Sequence, residues 1–177
     1  RSEAYIGVLV DDLVTKGTEE PYRMFTSLAE YRLLLRQDNA DLRLSELGRK
    51  IGLLSDEDYH RFCQRKKLID AEVERLRATR VNATDLVQSA LKEANSSPLN
   101  RALTLAELLK RPELSYDIVT QLVPSTETLP EDVRESVEVE LKYEGYIGRQ
   151  EEQVDRFKDL EKKYIPNDFD YATIGAM

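Results

Sequence analysis

Apolar residues recur along much of the chain at spacings of three and four, which predicts amphipathic α-helices. One long helix is predicted to start after Ser55, an N-cap followed by three carboxylates that favour the positive end of the helix dipole. Its positions follow a 3-4-3-4 spacing in which the apolar members form a seam and the polar ones interrupt it: Tyr59, Phe62, Lys66, Ile69, Val73, Leu76 and Arg80. A second long helix is predicted over residues 130–163, with a seam that begins at Val133, Val137 and Leu141.

Shorter helices are predicted before and between these two. Ser2 can cap a first helix that ends at Gly17, and Thr104 with Glu107 has the spacing of a capping box. Other short helices are predicted near 84–94 and 115–122, separated by prolines. The fold class is therefore predicted to be mainly α, a helical domain with two long antiparallel helices and several short ones.

Residues 21–36 are ambiguous. Residues 21–25 are predicted to be extended or irregular. Ser27 and Glu30 have the spacing of another capping box, which predicts a helix over residues 31–36. The three leucines between Arg32 and Arg36 are equally compatible with a buried strand. One short β or extended segment near 21–36 therefore remains open.

Two glycines interrupt the second long helix. Gly145 and Gly148 each cost about 1 kcal/mol relative to alanine in a helix interior. They indicate either a kink or a close approach by a partner.

The composition excludes several classes of protein. The chain has 177 residues, of which 41% are hydrophobic and 34% charged, too apolar a mixture for a disordered protein. No run approaches the ~20 apolar residues that a membrane span needs. A single cysteine and a single histidine argue against a disulfide framework, a zinc site and a Ser-His-Asp triad. We expect a cytoplasmic protein with no membrane segment, and the initial arginine suggests a piece of a longer chain.

The negative charge is concentrated at one end. The net charge is −8, and residues 112–177 carry 7 basic against 16 acidic side chains. An acidic total argues against non-specific nucleic-acid binding, which depends on Lys and Arg at phosphates. It is compatible with a local basic face in the first two thirds of the chain. A solvated acidic helix face accounts for the last third.

The sequence offers little catalytic chemistry. It contains neither the G-x-G-x-x-G of dinucleotide sites nor the P-loop pattern. Cys63 and His60 lie three residues apart and could form a thiolate–imidazole pair, but a cysteine beside a core seam is often a small buried hydrophobe. Asp11 and Asp12 are adjacent, so a helix directs them about 100° apart, and a capping, pairing or interface role fits better than a shared metal ion.

Arginines and aromatic residues alternate between positions 22 and 36. One helical turn separates Arg32 from Arg36, a spacing that would make a clamp of two guanidinium groups matched to phosphates. The aromatic residues could stack on unpaired bases, as recognition of single-stranded RNA requires. In the alternative interpretation, the arginines pair with acidic residues inside the domain. The residues of this segment and their candidate acidic partners are Tyr22, Arg23, Phe25, Tyr31, Arg32, Arg36, Glu30, Asp38 and Asp41.

Several longer motifs resemble one known family. They are AYIGVLVDDLVTKGT at residues 4–18, EPYRMFTS at 20–27, AEYRL at 29–33 and DNADLRL at 38–44. Later ones are RPE at 111–113, KYEGYI at 142–147 followed by RQ at 149–150, and IP at 165–166 with DY at 170–171. Together they closely resemble the glucose-inhibited division protein A (GidA) family, the tRNA uridine 5-carboxymethylaminomethyl modification enzymes.

The resemblance implies a role within a larger enzyme. Members of the family bind FAD on an N-terminal Rossmann domain, use NADH, and modify the wobble uridine of certain tRNAs together with the GTPase MnmE and a methylene-tetrahydrofolate carbon donor. Their C-terminal region is largely helical and contributes to tRNA and GTPase binding. The present chain resembles that region. It is therefore expected to hold no cofactor and not to catalyse alone. The parent enzyme is expected to bind the cofactors, to catalyse the modification and to form a homodimer.

The resemblance also implies domain limits. Residues 1–45 are expected to adjoin the flavin domain, which this chain does not include. Residues 46–177 are expected to form a helical domain that stops before the last helical subdomain of the family.

Candidate site residues follow from the same motifs. Arg23 and Arg32 match family arginines implicated in tRNA binding, and Arg36 and Lys16 are weaker additions from the sequence itself. Leu28 stands where the family motif has arginine, a loss that should weaken an RNA surface. The KYEGYI segment supplies the candidate partner-binding residues Tyr143, Glu144, Tyr146 and Arg149.

Overall fold

The computed structural model describes residues 2–25, 27, 29–125 and 128–164, except for the side chain of Glu161. Within these ranges the helices are α1 Tyr5–Thr15, α2 Ala40–Lys50, α3 Asp56–Ala78, α4 Asp85–Glu93, α5 Leu105–Leu109, α6 Tyr116–Leu122 and α7 Glu131–Glu161. Two short strands, β1 Arg80–Val81 and β2 Leu103–Thr104, pair antiparallel. The predicted mainly α class with two long helices is confirmed.

Local sequence signals start two of the helices as predicted. The Ser55 hydroxyl accepts a hydrogen bond from the backbone of Asp58 and so caps α3. The Thr104 hydroxyl accepts from the backbone N–H of Glu107, whose carboxylate accepts from the Thr104 N–H in return. Both predictions are confirmed, because a cap depends only on residues within one turn.

The main core lies between α3, α5, α6 and α7. The apolar α3 seam residues from Ile69 onward meet the α7 seam there, and the leucines of the short α5 are fully buried among them. Tyr59 and Phe62, at the start of the predicted α3 seam, lie outside this cluster. This cluster contains the buried residues Ile69, Val73, Leu76, Leu105, Leu108, Leu109, Val133, Val137 and Leu141.

The two long helices run parallel, so the predicted antiparallel arrangement is wrong. Arg65 contacts Asp132 and Ser136 near the start of α7, and Arg77, three turns further along α3, contacts Glu144. The contacts therefore advance in the same direction along both helices. The reason is the long connection over residues 79–130, whose three short helices return the chain to the start of α3 before α7 begins.

A second, smaller cluster joins the N-terminal segment to the distal half of α7. It contains Val8 from α1, Tyr31 and Leu35 from the following segment, and Val154 from α7. Because the main core already buries the proximal half of α7, this one helix connects both clusters.

The first helix differs from its prediction. It begins after Ala4, where no side chain supplies a cap, so Ser2 does not cap it. Gly17 follows its end with a φ of +65°, as predicted for a glycine that stops a helix.

Residues 30–36 form turns, so both the predicted helix and the alternative strand are wrong. The Tyr31 carbonyl accepts from the N–H groups of Leu34 and Leu35, and the Gln150 side chain bonds the backbone of Glu30 and Leu34. Backbone groups that a helix or a sheet would use are thus satisfied by a residue far away in sequence. The strands lie at β1 and β2 instead.

Helix α7 continues through both of its glycines. A Cβ atom added at Gly145 or Gly148 would meet nothing within 4 Å. No contact within the described part of the chain therefore requires glycine at either position.

Candidate nucleic-acid interface

Arg23 is held near α1 by its neighbour Tyr22. The carboxylate of Asp12 is buried and accepts hydrogen bonds from the Tyr22 hydroxyl at 2.8 Å and from the Lys16 ammonium at 2.9 Å. The predicted pairing role of Asp12 is thus present. Lys16 forms an ion pair with this carboxylate, whereas Arg23 is exposed and has no ion pair among the described residues.

Arg32 lies on the turn that α7 holds in place. The carboxamide of Gln150 accepts from the Leu34 N–H at 3.1 Å and donates to the Glu30 carbonyl at 2.8 Å. Gln150 is buried, and Arg32 is exposed on the segment that it fixes. The described residues provide no ion pair for Arg32, so its guanidinium faces solvent.

Arg36 has a different environment from the other arginines. Its side chain is only 18% exposed and bonds Asp38 at 3.1 Å and the Leu33 carbonyl at 2.8 Å. Because residues 30–36 are not helical, the expected clamp with Arg32 does not form. Arg36 follows the internal-pairing interpretation, and Asp41 pairs with Arg65 instead of an arginine of this segment.

Two residues that organise this region were missed in the sequence. Arg43 donates to the carbonyls of Glu3 and Arg36 and thereby links the start of α1 to the 30–36 turn. Gln150 acts across 116 residues of sequence. Gln150 lies in one of the motifs that carry the family resemblance, which was the only available signal for it.

The aromatic residues nearby differ in how accessible their rings are. Tyr31 is buried in the second cluster, and the Tyr22 hydroxyl is bound to Asp12. Phe25 remains exposed. Leu28 lies outside the described residues, as do the motif residues beyond position 164.

The aromatic residues of the KYEGYI motif are exposed and adjacent. Tyr143 is 42% exposed and Tyr146 is 56% exposed, and their ring centroids are 6.3 Å apart. The guanidinium of Arg149 lies 4.8 Å from the centre of the Tyr146 ring, and that of Arg36 lies 6.0 Å from the Tyr143 ring. We call Arg36, Tyr143, Tyr146 and Arg149 the aromatic–arginine patch.

Glu144 does not belong to this patch. Its carboxylate bridges Lys110 and Arg77, so it ties α7 to α3 and to the end of α5. The hydrogen bond from Lys110 lowers the pKa of Glu144 below its usual value. Glu144 is therefore a structural ion pair, while its neighbours Tyr143 and Tyr146 face solvent.

The most buried ionic cluster of the main core is structural as well. Glu72 accepts two hydrogen bonds from Arg75, both at 2.7 Å, and a third from the Tyr116 hydroxyl at 2.7 Å. Burial, followed by the bond to Glu72, raises the pKa of Tyr116. These groups satisfy one another's hydrogen bonds, so the cluster is structural.

Metal clusters and membrane-spanning helices are absent from the part of the chain that the structure describes. No three His, Cys, Asp or Glu side chains there converge on a position where a metal ion could bind. Cys63 and His60 are both exposed, and Cys63 is not the buried hydrophobe that the sequence allowed. No helix in the described ranges combines the length and apolarity needed to cross a bilayer.

The sequence matches one family of known proteins. The profile of the tRNA modifying enzyme MnmG/GidA C-terminal helical domain matches residues 56–151. The chain is 55% identical over 177 residues to the tRNA uridine 5-carboxymethylaminomethyl modification enzyme MnmG of Caldicellulosiruptor saccharolyticus. It is also 55% identical over 177 residues to that of Clostridium novyi. In both comparisons all of this chain aligns with 28% of the relative's length.

Solved structures agree with the sequence comparison. Aquifex aeolicus GidA in its form II crystal superposes with a TM-score of 0.75 at 39% identity, and in its form I crystal with a TM-score of 0.72. Each superposition covers 98% of this chain and 26% of the Aquifex chain. The chain therefore spans between a quarter and a third of the length of the proteins that it matches.

Proposed function

The chain belongs to the MnmG/GidA family of tRNA-modifying enzymes, and from that premise we propose that it is the tRNA-binding and partner-binding helical region of such an enzyme. The parent enzyme would install carboxymethylaminomethyl at the wobble uridine of tRNA in the cytoplasm, as a homodimer and together with the GTPase MnmE. This region would supply binding surface and no catalytic group.

One observation carries the tRNA assignment. Arg23 and Arg32 are exposed, have no ion pair among the described residues, and lie on segments whose neighbouring groups hydrogen-bond to the buried residues Asp12 and Gln150. Guanidinium groups that no carboxylate engages suit phosphate, because their planar set of donors can bind its oxygens in a bidentate manner. Lys16 and Arg36 are less available, since each is engaged by an aspartate, and would contribute less.

The FAD and NADH of the family do not fit the residues present here. A dinucleotide site needs a parallel sheet and a glycine-rich turn that leads into a helix. The described strands are two residues long and antiparallel, and β1 leads into α4 through a connection without glycine. The cofactors of the parent enzyme would therefore bind elsewhere in its chain.

The test replaces both arginines in the full-length protein. We expect Arg23→Ala with Arg32→Ala to weaken tRNA binding and to lower the salt dependence of log K by about two, because each phosphate contact contributes about one. Fluorescence-anisotropy titration of labelled tRNA at several salt concentrations measures both quantities.

A matched control separates local contacts from total charge. Lys92→Ala with Arg101→Ala removes the same number of charges from exposed positions outside this region. If the two double variants weaken binding equally, or if the Arg23/Arg32 variant binds like the wild type, the tRNA assignment is wrong.

A second candidate function, protein docking, is favoured by the exposed face of α1. Ile6, Val10, Leu13 and Val14 follow the i, i+4, i+7, i+8 spacing of one helix face, and all four are exposed. A contiguous apolar stripe of this kind is typical of an interface. We propose that protein surface covers it in the parent enzyme, either the flavin domain, the GTPase or a second copy.

Charged substitutions on this face test the docking function. Val10→Asp with Val14→Asp in the full-length protein should weaken dimerisation or GTPase capture at least ten-fold, because an unpaired charge is costly to bury. Sedimentation and pull-down measure the two outcomes, and the melting temperature reports packing on the flavin domain. Unchanged assembly and an unchanged melting temperature would rule out a covered face.

A further inference from the structure

The exposed tyrosines of α7 lie on the same side of the molecule as the candidate tRNA-binding turn. Gln150 follows Tyr146 by one helical turn and holds the backbone of residues 30–34, the segment that carries Arg32. Arg36, at the end of that segment, lies over the Tyr143 ring. The aromatic–arginine patch therefore continues the surface of Arg32, although more than 100 residues separate the two in sequence.

The two rings of the patch are positioned before any ligand binds. Arg36 is fixed by Asp38 and the Leu33 carbonyl, and its guanidinium lies against Tyr143. Arg149 lies three residues after Tyr146 on the same helix and approaches its ring. A cation near an aromatic ring is attracted by the ring quadrupole, which restrains both side chains. The two rings are therefore restrained, with their planes inclined at 54° to each other, and each ring offers its own face for stacking.

The composition of the patch itself favours RNA over protein, and the cavity beside Tyr143 is mixed in charge, with Asp38, Glu135 and Glu138 near Arg65 and Lys142. Glu144, the acidic residue between the two tyrosines, is neutralised by Arg77 and Lys110. The α1 stripe, in contrast, offers contiguous exposed aliphatic side chains of the kind that a protein interface buries. The patch itself offers aromatic rings and guanidinium groups, the combination on which unpaired bases stack and phosphates bind.

We propose that Tyr143 and Tyr146 form a stacking platform for unpaired bases of RNA, with Arg149 contacting the adjoining phosphate. This inference rests on the proposed tRNA-binding function and reassigns these residues from protein binding. It also provides aromatic surface that Tyr31, which is buried in the second cluster, cannot supply.

The test distinguishes stacking from charge by its salt dependence. In the full-length protein, Tyr143→Leu with Tyr146→Leu should lower the affinity for an RNA hairpin with an unpaired seven-nucleotide loop by about ten-fold or more, in keeping with the typical contribution of base–aromatic stacking. The salt slope should stay unchanged, because no charge is lost. Tyr143→Phe with Tyr146→Phe should retain wild-type affinity, since phenylalanine also stacks.

Two controls accompany this test, one a variant on the same helix and the other a paired RNA of the same length. Phe157→Ala removes an exposed aromatic ring from α7 outside the patch and should not change hairpin affinity. A fully paired RNA duplex of equal length should bind the Leu variant and the wild type equally. A hairpin carrying 2-aminopurine in its loop should show fluorescence quenching on binding the wild type, which tests stacking without any variant.

The outcomes distinguish the stacking proposal from the tRNA-binding function on which it rests. If the wild type binds tRNA through Arg23 and Arg32 but the Leu variant binds the hairpin equally well, stacking is wrong and the tRNA-binding function stands. If the Leu variant loses GTPase capture but not RNA affinity, the patch is a protein-docking site. If the wild type binds no tRNA, both proposals fail together.

Discussion

At the scale of single residues, two buried polar groups show which side-chain contacts can be predicted from the sequence and which cannot. The adjacent Asp11 and Asp12 predict a capping, pairing or interface role rather than a metal site, and the two hydrogen bonds of Asp12 agree with pairing. The double role of Gln150 was not foreseeable, because a glutamine on a helix has no spacing that indicates a partner 116 residues away. Side chains that bond a distant backbone depend on tertiary structure, which local patterns do not contain.

The half-buried carboxyl of Glu140 gives a pH-dependent prediction. Burial, more than its charged neighbours, raises the pKa of Glu140 above the usual 4.5. A raised carboxyl pKa means that the folded state binds the proton more tightly than the unfolded state does. The free energy of unfolding of the protein therefore falls as the pH rises through the folded pKa of Glu140. We expect Glu140→Gln to have a higher melting temperature than the wild type at pH 7.

The advantage of Glu140→Gln should disappear below about pH 4.5, where the carboxyl is protonated in both states. Thermal melts between pH 4 and pH 8 measure the difference. Glu135→Gln, at an exposed position on the same helix, is the matched control and should show a smaller pH dependence. A constant difference between Glu140→Gln and the wild type across this range would contradict the burial argument.

At the scale of helices and strands, the sequence predicts features that depend on neighbouring residues and fails where distant contacts set the conformation. The starts of α3 and α5 were predicted correctly because their caps lie within one turn of the residues they cap. The same capping pattern at Ser27 and Glu30 produced no helix over residues 31–36, because the Gln150 carboxamide and the second cluster hold those residues in turns. A capping pattern predicts a helix only where packing does not impose another conformation.

The glycines of α7 give a prediction for this element. Because nothing lies within 4 Å of a Cβ at either position, Gly145→Ala and Gly148→Ala should each stabilise the chain by about 0.5–1 kcal/mol. Urea unfolding measures the free energy. A loss of stability in the chain would show that the backbone there is strained or closely packed.

The full-length protein then distinguishes the two explanations of these glycines. If a partner approaches the α7 backbone, the alanine variants should weaken its binding while they stabilise the chain itself. If the alanine variants bind every partner as the wild type does, the glycines have no role in assembly.

At the scale of the whole molecule, the class of fold was predictable and the direction of its helices was not. Amphipathic spacing identified the two long helices, and their seams meet in the main core as expected. A seam states which face is buried but not which way a partner helix runs. The parallel arrangement follows from the short helices over residues 79–130, whose packing against α3 and α7 sets where the chain re-enters the core.

The candidate site shows the same division. The motif arginines Arg23 and Arg32 were identified along the chain, and both are exposed in the structure. The pairing of Arg36 with Tyr143 was beyond sequence reasoning, because it joins the end of the N-terminal segment to the middle of α7. A binding surface assembled from two distant segments becomes visible only once the fold brings them together.

Helix α7 also has a mechanical consequence. Its 31 residues form a rod about 46 Å long that is held at one end, over residues 133–144, by the main core and by the ion pairs of Glu144. Beyond Glu144 the rod extends about 25 Å further, and Gln150 and Val154 attach the 30–36 turn and the second cluster to it. A tilt of about 10° at the held end would displace the far end by about 4 Å. Load applied to the tip of this rod would thus be delivered as a displacement of the turn that carries Arg32.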